Sequence, residues 1–340
     1  MNELGRAAAK LGVHRIPVPV PFLHAGGPAN AYVVEEEDGG LLMVDTGLAV
    51  GEGTEALEAG FQRLGFRIED VRRIVVTHGH VDHFGGARHV QDRAGHDVPV
   101  FAHPLDAPKV TAGAWVLSEH AAAYARHLVR LGVPPDLAAD VMARSAPAFE
   151  IAPGVARTEP LAEGQLFRGR HVALRVLHAP GHTPGLVVLH DAAHGLLLSG
   201  DHLLERISPN PLIDLGPDDA PGWFRPLVAY DESIRRIRAL ELAAVLPGHG
   251  PPFGDHRRVI DSLLAFQGRR QARLRALVAG APRTPWELTR ELFPAGGPAD
   301  LFLTLSETVA NLEAMAARGE LLLLVGEEPW RYGAPAAPSP

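Results

Sequence analysis

Short apolar runs recur along the chain, and each ends in a turn that carries a histidine or an aspartate. Four such runs stand directly before turns rich in glycine or proline. They are Ile74–Val76, Leu174–Leu177, Gly195–Leu198 and Ala243–Leu246. Strand-like residues bounded in this way predict strands whose end loops present functional side chains on a rigid scaffold.

Helical segments separate the strands in the first hundred residues. The pattern is helical over Gly53 to Leu64 and Gly85 to Ala94, and strand-like over Val71 to Val76 and Val98 to Ala102. Alternation of strands and helices is typical of an α/β architecture. Residues 104–150 depart from it, because they are Ala-rich and helical with no strand. That insertion is interpreted either as a lid near the site or as a structural helical hairpin.

The last quarter of the chain has a different pattern. A long Arg-rich helix is predicted over His256 to Val278, and Thr284 then stands as the N-cap before a proline at the first helical position. An amphipathic helix over Phe302 to Arg318 precedes two strands, Leu321 to Val325 and Trp330 to Tyr332. The order of helices followed by a hairpin predicts a winged-helix domain.

Composition narrows the class of protein. The chain has 340 residues, a hydrophobic fraction of 46%, no cysteine and a formal net charge of −8. Absence of cysteine excludes disulfides, thiolate ligands and a Cys nucleophile. No stretch is long enough to span a membrane, and the N-terminus lacks the apolar core of a signal peptide, so a cytoplasmic location and no membrane partner are expected. The acidic balance argues against binding nucleic acid by bulk electrostatics.

The densest chemistry lies in the seven-residue window Thr77 to His83. It contains His78, His80, Asp82 and His83, which alternate with spacers in a pattern that packing does not explain. Neutral imidazoles and carboxylates are good ligands for zinc and similar divalent ions. The alternative is a solvated His-rich turn. Further candidate ligands, each after one of the apolar runs, favour the metal site.

These motifs together resemble the metallo-β-lactamase-fold hydrolases. The motif Thr-His-x-His-x-Asp-His is followed by Gly-His-Thr-Pro-Gly at 181–185, Gly-Asp at 200–201 and Pro-Gly-His-Gly at 247–250. Their order and approximate separations match that family over about residues 15–255. The C-terminal element order is similar to the small domain of the β-lactamase-like hydrolases related to a mitochondrial endoribonuclease.

The resemblance implies a binuclear metal site in an αββα sandwich. The implied ligands are His78, His80 and His182 for one ion, Asp82, His83 and His249 for the other, and Asp201 as the bridge. Asp45 matches a position that supports the ligand loop. The expected domains are a catalytic domain over 1–254, a winged-helix-like domain over 255–332 and a disordered tail over 333–340.

The expected chemistry is hydrolysis with two divalent ions, most simply zinc, although these ligands also suit iron or manganese. Two such ions at about 3.5–4 Å can share a hydroxide that attacks a carbonyl or phosphoryl centre. Asp82 and Asp201 are the predicted catalytic carboxylates. His80 favours hydrolysis, since the di-iron flavoproteins of the superfamily carry Glu at the matching position.

Several functions remain open from the sequence. The leading prediction is hydrolysis of a small thioester, lactone or other ester. The alternative is a metal-dependent endoribonuclease or phosphodiesterase acting on single-stranded RNA, but residues 255–340 hold ten Arg against ten Asp plus Glu and are neutral overall. A non-catalytic interaction protein is disfavoured by the apparently complete ligand set. A true β-lactamase is disfavoured by the missing Cys, and glyoxalase II by its different C-terminal region.

Overall fold

A computed structural model describes residues 2–21, 26–112, 115–215, 224–297, 300–326 and 328–335. Two units divide the chain, and all of the larger sheets lie in the first. The first unit comprises Met1–Val116, Ala148–Pro209 and Ser233–Ile260, and the second comprises Leu117–Pro147, Asn210–Glu232 and Asp261–Pro340.

The first sheet is built from the N-terminal strands. Its strands are β1 (Val13–Val18), β2 (Ala29–Glu35), β3 (Leu41–Val44), β4 (Val71–Val75), β5 (Val100–Ala102) and β6 (Glu159–Pro160). They pair in sequence order, with β1, β2 and β3 antiparallel and the pairs from β3 to β6 parallel. Parallel neighbours need long crossovers, and helices supply most of these connections.

The second sheet follows in the chain. Its strands are β7 (Leu166–Arg168), β8 (Ala173–His178), β9 (Val187–Asp191), β10 (Leu196–Gly200) and β11 (Ala244–Pro247). Their spatial order is β11-β10-β9-β8-β7, and only β10 and β11 run parallel. The carboxyl ends of these two strands therefore lie side by side, which brings the residues after β10 close to those after β11.

The described part of the chain also contains α-helices. They are α1 (Glu3–Lys10), α2 (Glu52–Leu64), α3 (Val81–Phe84), α4 (Ala87–Ala94), α5 (Ala107–Ala112), α6 (Trp115–Arg130), α7 (Pro135–Glu150), α8 (Pro226–Arg238), α9 (His256–Val278), α10 (Pro285–Leu292) and α11 (Leu301–Ala317). A two-stranded hairpin of β12 (Leu322–Leu324) and β13 (Arg331–Gly333) follows α11.

Both faces of the first sheet are buried, which explains its nearly continuous apolar strands. Along β2, Ala31 and Val33 join a core with Leu57 and Phe61 of α2. The alternate side chains of the strand, with those of β3, join a second core with residues of β8, β9 and β10. Period-two alternation thus gives the first sheet one face on helices and one face on the second sheet. The expected α/β sandwich is confirmed.

The second unit is mainly helical. Residues of α6 and α7, such as Leu128 and Val141, share a core with Leu305 and Val309 of α11. A further core joins α9, α10, α11 and the hairpin through residues that include Tyr332. Residues 117–147 of the insertion, which was predicted as part of the catalytic domain, therefore group with C-terminal residues. The element order expected of a winged helix is present, but the winged-helix assignment itself stays a prediction.

Local differences from the predicted elements have physical causes. The helix expected over Gly85 to Ala94 begins at Ala87 as α4, and α3 is a separate turn that ends before the two glycines. Gly86 is in very close contact with neighbouring backbone. A Cβ on Gly86 would lie 2.7 Å from the carbonyl oxygen of Thr46. The tail predicted from residue 333 begins in a strand, since Gly333 pairs with Leu322, and residues 336–340 lie outside the described residues.

The predicted capping of α10 is confirmed. The Thr284 hydroxyl accepts from the Glu287 backbone N–H at 3.1 Å, and the Glu287 carboxylate accepts from the Thr284 N–H at 2.9 Å. Within the described parts of the chain, no helix combines the length and apolar character needed to cross a bilayer.

Candidate metal centre

The loop after β4 carries the His-rich motif. Strand β4 is followed by buried Val76 and Thr77, and His78 and His80 stand in the loop before α3 begins. Asp82 and His83 then lie on the single turn of α3. The remaining predicted residues come from three other loops: His182 between β8 and β9, Asp201 after β10 and His249 after β11.

All seven predicted ligand residues converge in the first unit. Their donor atoms form overlapping groups in which all atoms lie within 4.8 Å of one another. The groups are His78, His80 and His182; His78, His83 and Asp201; and Asp82, His83 and His249. The first and third are the two sets that the resemblance implied for the two ions.

Asp201 lies between these two sets. Its Oδ2 is 3.6 Å from His182 Nε2 and 3.5 Å from His249 Nε2, while its Oδ1 is 3.5 Å from His83 Nε2. One carboxylate therefore faces imidazoles from both sets. This is the position that a bridging carboxylate would need.

The third set is equally tight. Asp82 Oδ2 lies 3.2 Å from His249 Nε2 and 3.8 Å from His83 Nε2. In the other set, His78 Nε2 and His80 Nδ1 are 3.1 Å apart, and the rings of His80 and His182 have centroids separated by 4.5 Å. Imidazole nitrogens from different loops thus point toward common positions.

The donor atoms fit divalent metal ions. His83 Nε2 and Asp201 Oδ1 are buried and make no hydrogen bond with any residue that the structure describes. Buried polar atoms are normally hydrogen-bonded, so atoms of this kind are explained by coordination to an ion. Imidazoles and carboxylates with no thiolate suit zinc, iron or manganese.

Charge differs between the two sets. Burial, reinforced by neighbouring imidazoles, holds the pKa of His78 well below its usual value, and burial with His182 and Lys109 does the same for His80. Burial acts in the same direction on His83, but the Asp201, Asp82 and Asp45 carboxylates outweigh it and raise that pKa. Of the three-histidine set (His78, His80 and His182), His78 and His80 are therefore neutral, whereas His83 in the other set lies in a field that favours a cation.

The two central carboxyl groups are ionised at neutral pH. Burial would raise the pKa of Asp82, but His83 and His249 outweigh it and lower the pKa to about 2. The same competition, with His249 and His83 as the main opposing charges, lowers the pKa of Asp201 well below its usual value. Both carboxylates are thus available as ligands or as acceptors for a substrate or water proton.

Asp45 supports the His-rich loop, as the resemblance implied. Its Oδ1 accepts from the Thr77 backbone N–H, and its Oδ2 accepts from the Thr77 hydroxyl, both at 2.7 Å. His83 Nδ1 donates to the same Oδ2 at 2.9 Å. That bond fixes the orientation of the His83 ring, so Nε2 faces the centre. Asp45 adopts a φ of 56°, an unfavourable conformation for a residue other than glycine.

A glycine makes room for the centre. A Cβ on Gly248 would lie 2.2 Å from Asp201 Oδ1 and 2.8 Å from His83 Cε1. Only glycine lets the chain after β11 pass so close to two of the ligand side chains. The Gly of the Pro-Gly-His-Gly motif is therefore required sterically, next to the His249 that it delivers.

The sequence did not reveal how the His249 loop is anchored. Asn30 Nδ2 donates to the carbonyl oxygens of Pro247 and Gly250, each at 2.8 Å, and the Tyr32 hydroxyl donates to Pro247 O at 2.8 Å. His249 Nδ1 lies 3.2 Å from two carbonyl oxygens of the β1–β2 connection. These residues lie more than 200 positions away in the sequence, and no local pattern indicates the pairing.

The sequence also did not reveal Asp106, a buried carboxylate with 1% exposure. Its Oδ2 accepts from the Gly79 N–H at 2.8 Å and from the Thr183 hydroxyl at 2.6 Å, and its Oδ1 accepts from the Gly185 N–H at 3.1 Å. A signal was present, because Asp106 follows β5 just as the metal-motif residues follow their strands.

Neighbouring histidines have other roles. His178 Nε2 hydrogen-bonds to Pro184 O at 2.8 Å, and its ring stacks on that of His103 with centroids 4.1 Å apart. His202 is fully buried, and burial with the nearby His182 lowers its pKa to about 3. None of the three belongs to a ligand group among the described residues. This geometry is that of structural residues.

Comparisons with known proteins agree with this geometry. A sequence profile described as the Metallo-beta-lactamase superfamily matches residues 24–265. The chain is similar to the probable metallo-hydrolase YqjP of Bacillus subtilis, with 31% identity over 303 residues, which cover 89% of this chain and 91% of that protein.

Two further similarities add a structure and a described activity. A metallo-beta-lactamase family protein of Thermus thermophilus superposes with a TM-score of 0.78 at 28% identity, over 95% of this chain and 99% of that chain. The acyl-coenzyme A thioesterase MBLAC2 of Gallus gallus is 27% identical over 248 residues, covering 69% of this chain and 77% of that protein.

Proposed function

The chain belongs to the metallo-beta-lactamase superfamily of metal-dependent hydrolases, and on that premise we propose that it hydrolyses a small thioester, lactone or other ester at a two-metal centre. The convergence of seven ligand-type side chains from four loops carries this proposal.

Two ions would be held by the two overlapping sets. His78, His80 and His182 would bind one, and Asp82, His83 and His249 would bind the other. Asp201 would bind both, because its two oxygens face imidazoles of each set at 3.5–3.6 Å. Zinc is the proposed metal, since four-coordinate histidine and carboxylate sites suit it, although these donors also accept iron or manganese.

The bound ions would supply hydroxide near neutral pH and polarise the substrate carbonyl group. The protein's own residues prepare that reaction. Neutral His78 and His80 keep their lone pairs available as ligands, because burial lowers their pKa values. Ionised Asp82, which lies beside His249, is placed to accept a hydrogen bond from the attacking water and so to orient it. No serine or cysteine nucleophile is required.

The substrate class is supported by a relative and by charge. The Gallus gallus protein similar to this chain is described as an acyl-coenzyme A thioesterase. A net charge of −8 also suits a small-molecule substrate better than a polyanion bound over a wide surface. A thioester is therefore the first substrate to test, followed by lactones and simple esters.

The ribonuclease alternative depends on the arginines of α9, and their contacts weaken it. Arg270 pairs with Glu307, Arg275 pairs with Glu320, and Arg273 donates to the Glu291 carbonyl oxygen. Arginines held by acidic neighbours offer less charge to phosphates. A domain that guides RNA should instead present arginines that are free to contact the backbone.

A parallel substrate assay tests the proposal. Metal-loaded protein would be incubated with an acyl thioester, a lactone, an activated phosphodiester and single-stranded RNA, each with and without a chelator. Hydrolysis of the thioester or lactone that stops with chelator and returns with added metal is the expected result. Cleavage of RNA or the phosphodiester alone, or no turnover by fully loaded protein, would contradict it.

A further inference from the structure

We propose that Asp106 is a positioning residue that holds the three-histidine half of the centre together by joining two ligand loops. One loop carries His78 and His80, and the other carries His182. The inference rests on the proposed metal function, but it concerns a residue that lies in none of the ligand groups among the described residues.

The contacts of Asp106 connect the loops directly. Its carboxylate accepts from Gly79, which lies between His78 and His80, and from Thr183 and Gly185, which follow His182. All three partners are N–H or hydroxyl donors. An ionised carboxylate has only acceptor atoms, so it can satisfy all three donors together. These bonds are buried, where a lost acceptor is expensive.

Close packing around Asp106 shows that the loops are shaped to meet it. A Cβ on Gly185 would lie 2.7 Å from Asp106 Cγ and 2.8 Å from its backbone nitrogen. A Cβ on Gly79 would lie 3.3 Å from Asp106 Cβ and 3.0 Å from a side-chain carbon of Lys109. Glycine at both positions lets the two loops approach Asp106 closely.

The support is confined to one half of the centre. Among the described residues, the hydrogen bonds of the Asp106 side chain reach only the two loops of the three-histidine set, and its one ion pair is with Lys109 on the following helix. The other half is held by Asp45 on His83 and by Asn30 and Tyr32 on the His249 loop. Loss of Asp106 should therefore weaken one metal and leave the other nearly unchanged.

Preorganisation explains why this matters for metal affinity. The three imidazoles come from two loops that are about a hundred residues apart in the chain. Without a common acceptor, each loop would have to be ordered when the ion binds, and that entropy is subtracted from the binding free energy. Loss of a hydrogen-bonding partner just outside the ligands of a metal typically costs about 10–100-fold in metal affinity.

The decisive variant is Asp106→Asn. The amide keeps the shape of the side chain but replaces one acceptor oxygen with a donor group. Since donors face both carboxylate oxygens, either orientation of the amide puts its NH₂ against another donor. Stepwise dissociation constants of metal-free protein would be measured by competition with a chromogenic chelator. We expect one constant to rise about 10–100-fold and the other to change by less than about threefold.

Two further variants make the measurement specific. Asp191→Asn is the matched control, because Asp191 is as buried as Asp106. Among the described residues, its side chain hydrogen-bonds to Ala193 and His194 in the turn before β10. That turn lies at the opposite end of β10 from Asp201. Its two metal constants should equal those of the wild type. Thr183→Val removes one donor to Asp106 and should weaken the same metal as Asp106→Asn, by a smaller factor.

Variants that retain only one of the two ligand sets test which half of the centre Asp106 supports. In His249→Ala protein, which retains the three-histidine set, Asp106→Asn should still raise the dissociation constant of the remaining ion about 10–100-fold. In His182→Ala protein it should have little effect. If Asp106→Asn does not fold, the Thr183→Val constants decide in the same way.

The inference would be overturned if both metal dissociation constants were unchanged in Asp106→Asn or, where that variant does not fold, in Thr183→Val. It would also be overturned if the variant weakened the binding of both ions equally. If the wild type itself bound fewer than two ions, the proposed function would fail first. That outcome is distinct from a wild type with two ions whose affinities do not depend on Asp106.

Discussion

The two units use charged and polar side chains in opposite ways. In the first unit, imidazoles and carboxylates from separate loops face one another, and His83 Nε2 and Asp201 Oδ1 have no hydrogen-bond partner among the described residues. In the second unit, Arg270 and Arg275 end on the carboxylates of Glu307 and Glu320. Groups that satisfy one another stabilise a fold, whereas buried groups that converge without satisfying one another indicate a ligand.

In the second unit, arginine side chains also pack against aromatic rings. The guanidinium of Arg270 lies 4.6 Å from the ring centroid of Phe266 and 4.9 Å from that of Phe293, in addition to its pairing with Glu307. Such a side chain contributes packing as well as charge. An Arg-rich helix is therefore a weak argument for nucleic-acid binding until the partners of each arginine are known.

The largest expected effect comes from Asp201→Ala. Because its carboxylate faces both ligand sets, its loss should remove two-metal loading and lower kcat by at least about 10³-fold, about 4 kcal/mol by transition-state arithmetic. Circular dichroism should remain that of the wild type. Full turnover with an intact fold would show that the convergence in the first unit is not the catalytic centre.

Asp45→Asn should have the next largest effect. The amide cannot accept from Thr77 and His83 at once without turning its NH₂ toward one of these donors. We expect about 10–100-fold weaker binding of the ion held by His83, measured by chelator competition. Asp191→Asn serves as the control. Equal affinities in the Asp45→Asn and wild-type proteins would mean that the hydrogen bonds to this loop do not support the metal.

Glu307→Ala should affect stability and leave chemistry unchanged. The variant leaves Arg270, whose side chain is 18% exposed, without its main acceptor, and breaking such a pair should cost about 2–3 kcal/mol of unfolding free energy. Thermal melting would measure this. Glu320→Ala is the comparison, because its partner Arg275 is half-exposed, and the expected loss is below about 1 kcal/mol. If the turnover of folded Glu307→Ala protein fell more than about tenfold, the expectation that this ion pair affects only stability would be contradicted.

The smallest effect is expected from the double variant Arg269→Ala with Arg273→Ala. Both side chains are exposed, so their charges are screened by salt. Thioester or ester turnover should stay within about threefold of the wild type, under roughly 1 kcal/mol. Binding of single-stranded RNA to the wild type should stay in the non-specific range of about 10⁻⁴–10⁻⁶ M at physiological salt. Nanomolar affinity that the double variant loses would promote the ribonuclease alternative.

The sequence predicted the elements and the site to different degrees. Each ligand-type residue follows an apolar strand at a Gly or Pro turn, so local pattern alone could place His182, Asp201 and His249 at strand ends. The structure brings these residues together with the His-rich loop. Their roles as ligands remain predictions until metal is measured.

The pattern of hydrophobic and polar residues could not predict long-range contacts. Asn30 holds a loop 217 residues away, and Asp106 meets Gly185 across 79 residues, with no local spacing that indicates either contact. The packing of α6 and α7 with α11 was missed for the same reason, since amphipathic helices show which face is buried but not against what. The family resemblance identified Asp45, whereas Asp106 lies in none of the motifs on which that resemblance was based.

Metal content tests the central claim most directly. Purified protein would be stripped, reloaded with zinc, freed of excess ion and analysed by plasma emission against a protein concentration from amino-acid analysis. Two overlapping ligand sets that share Asp201 predict about two ions per chain. One ion or none per chain in the fully loaded protein would contradict the two-metal centre.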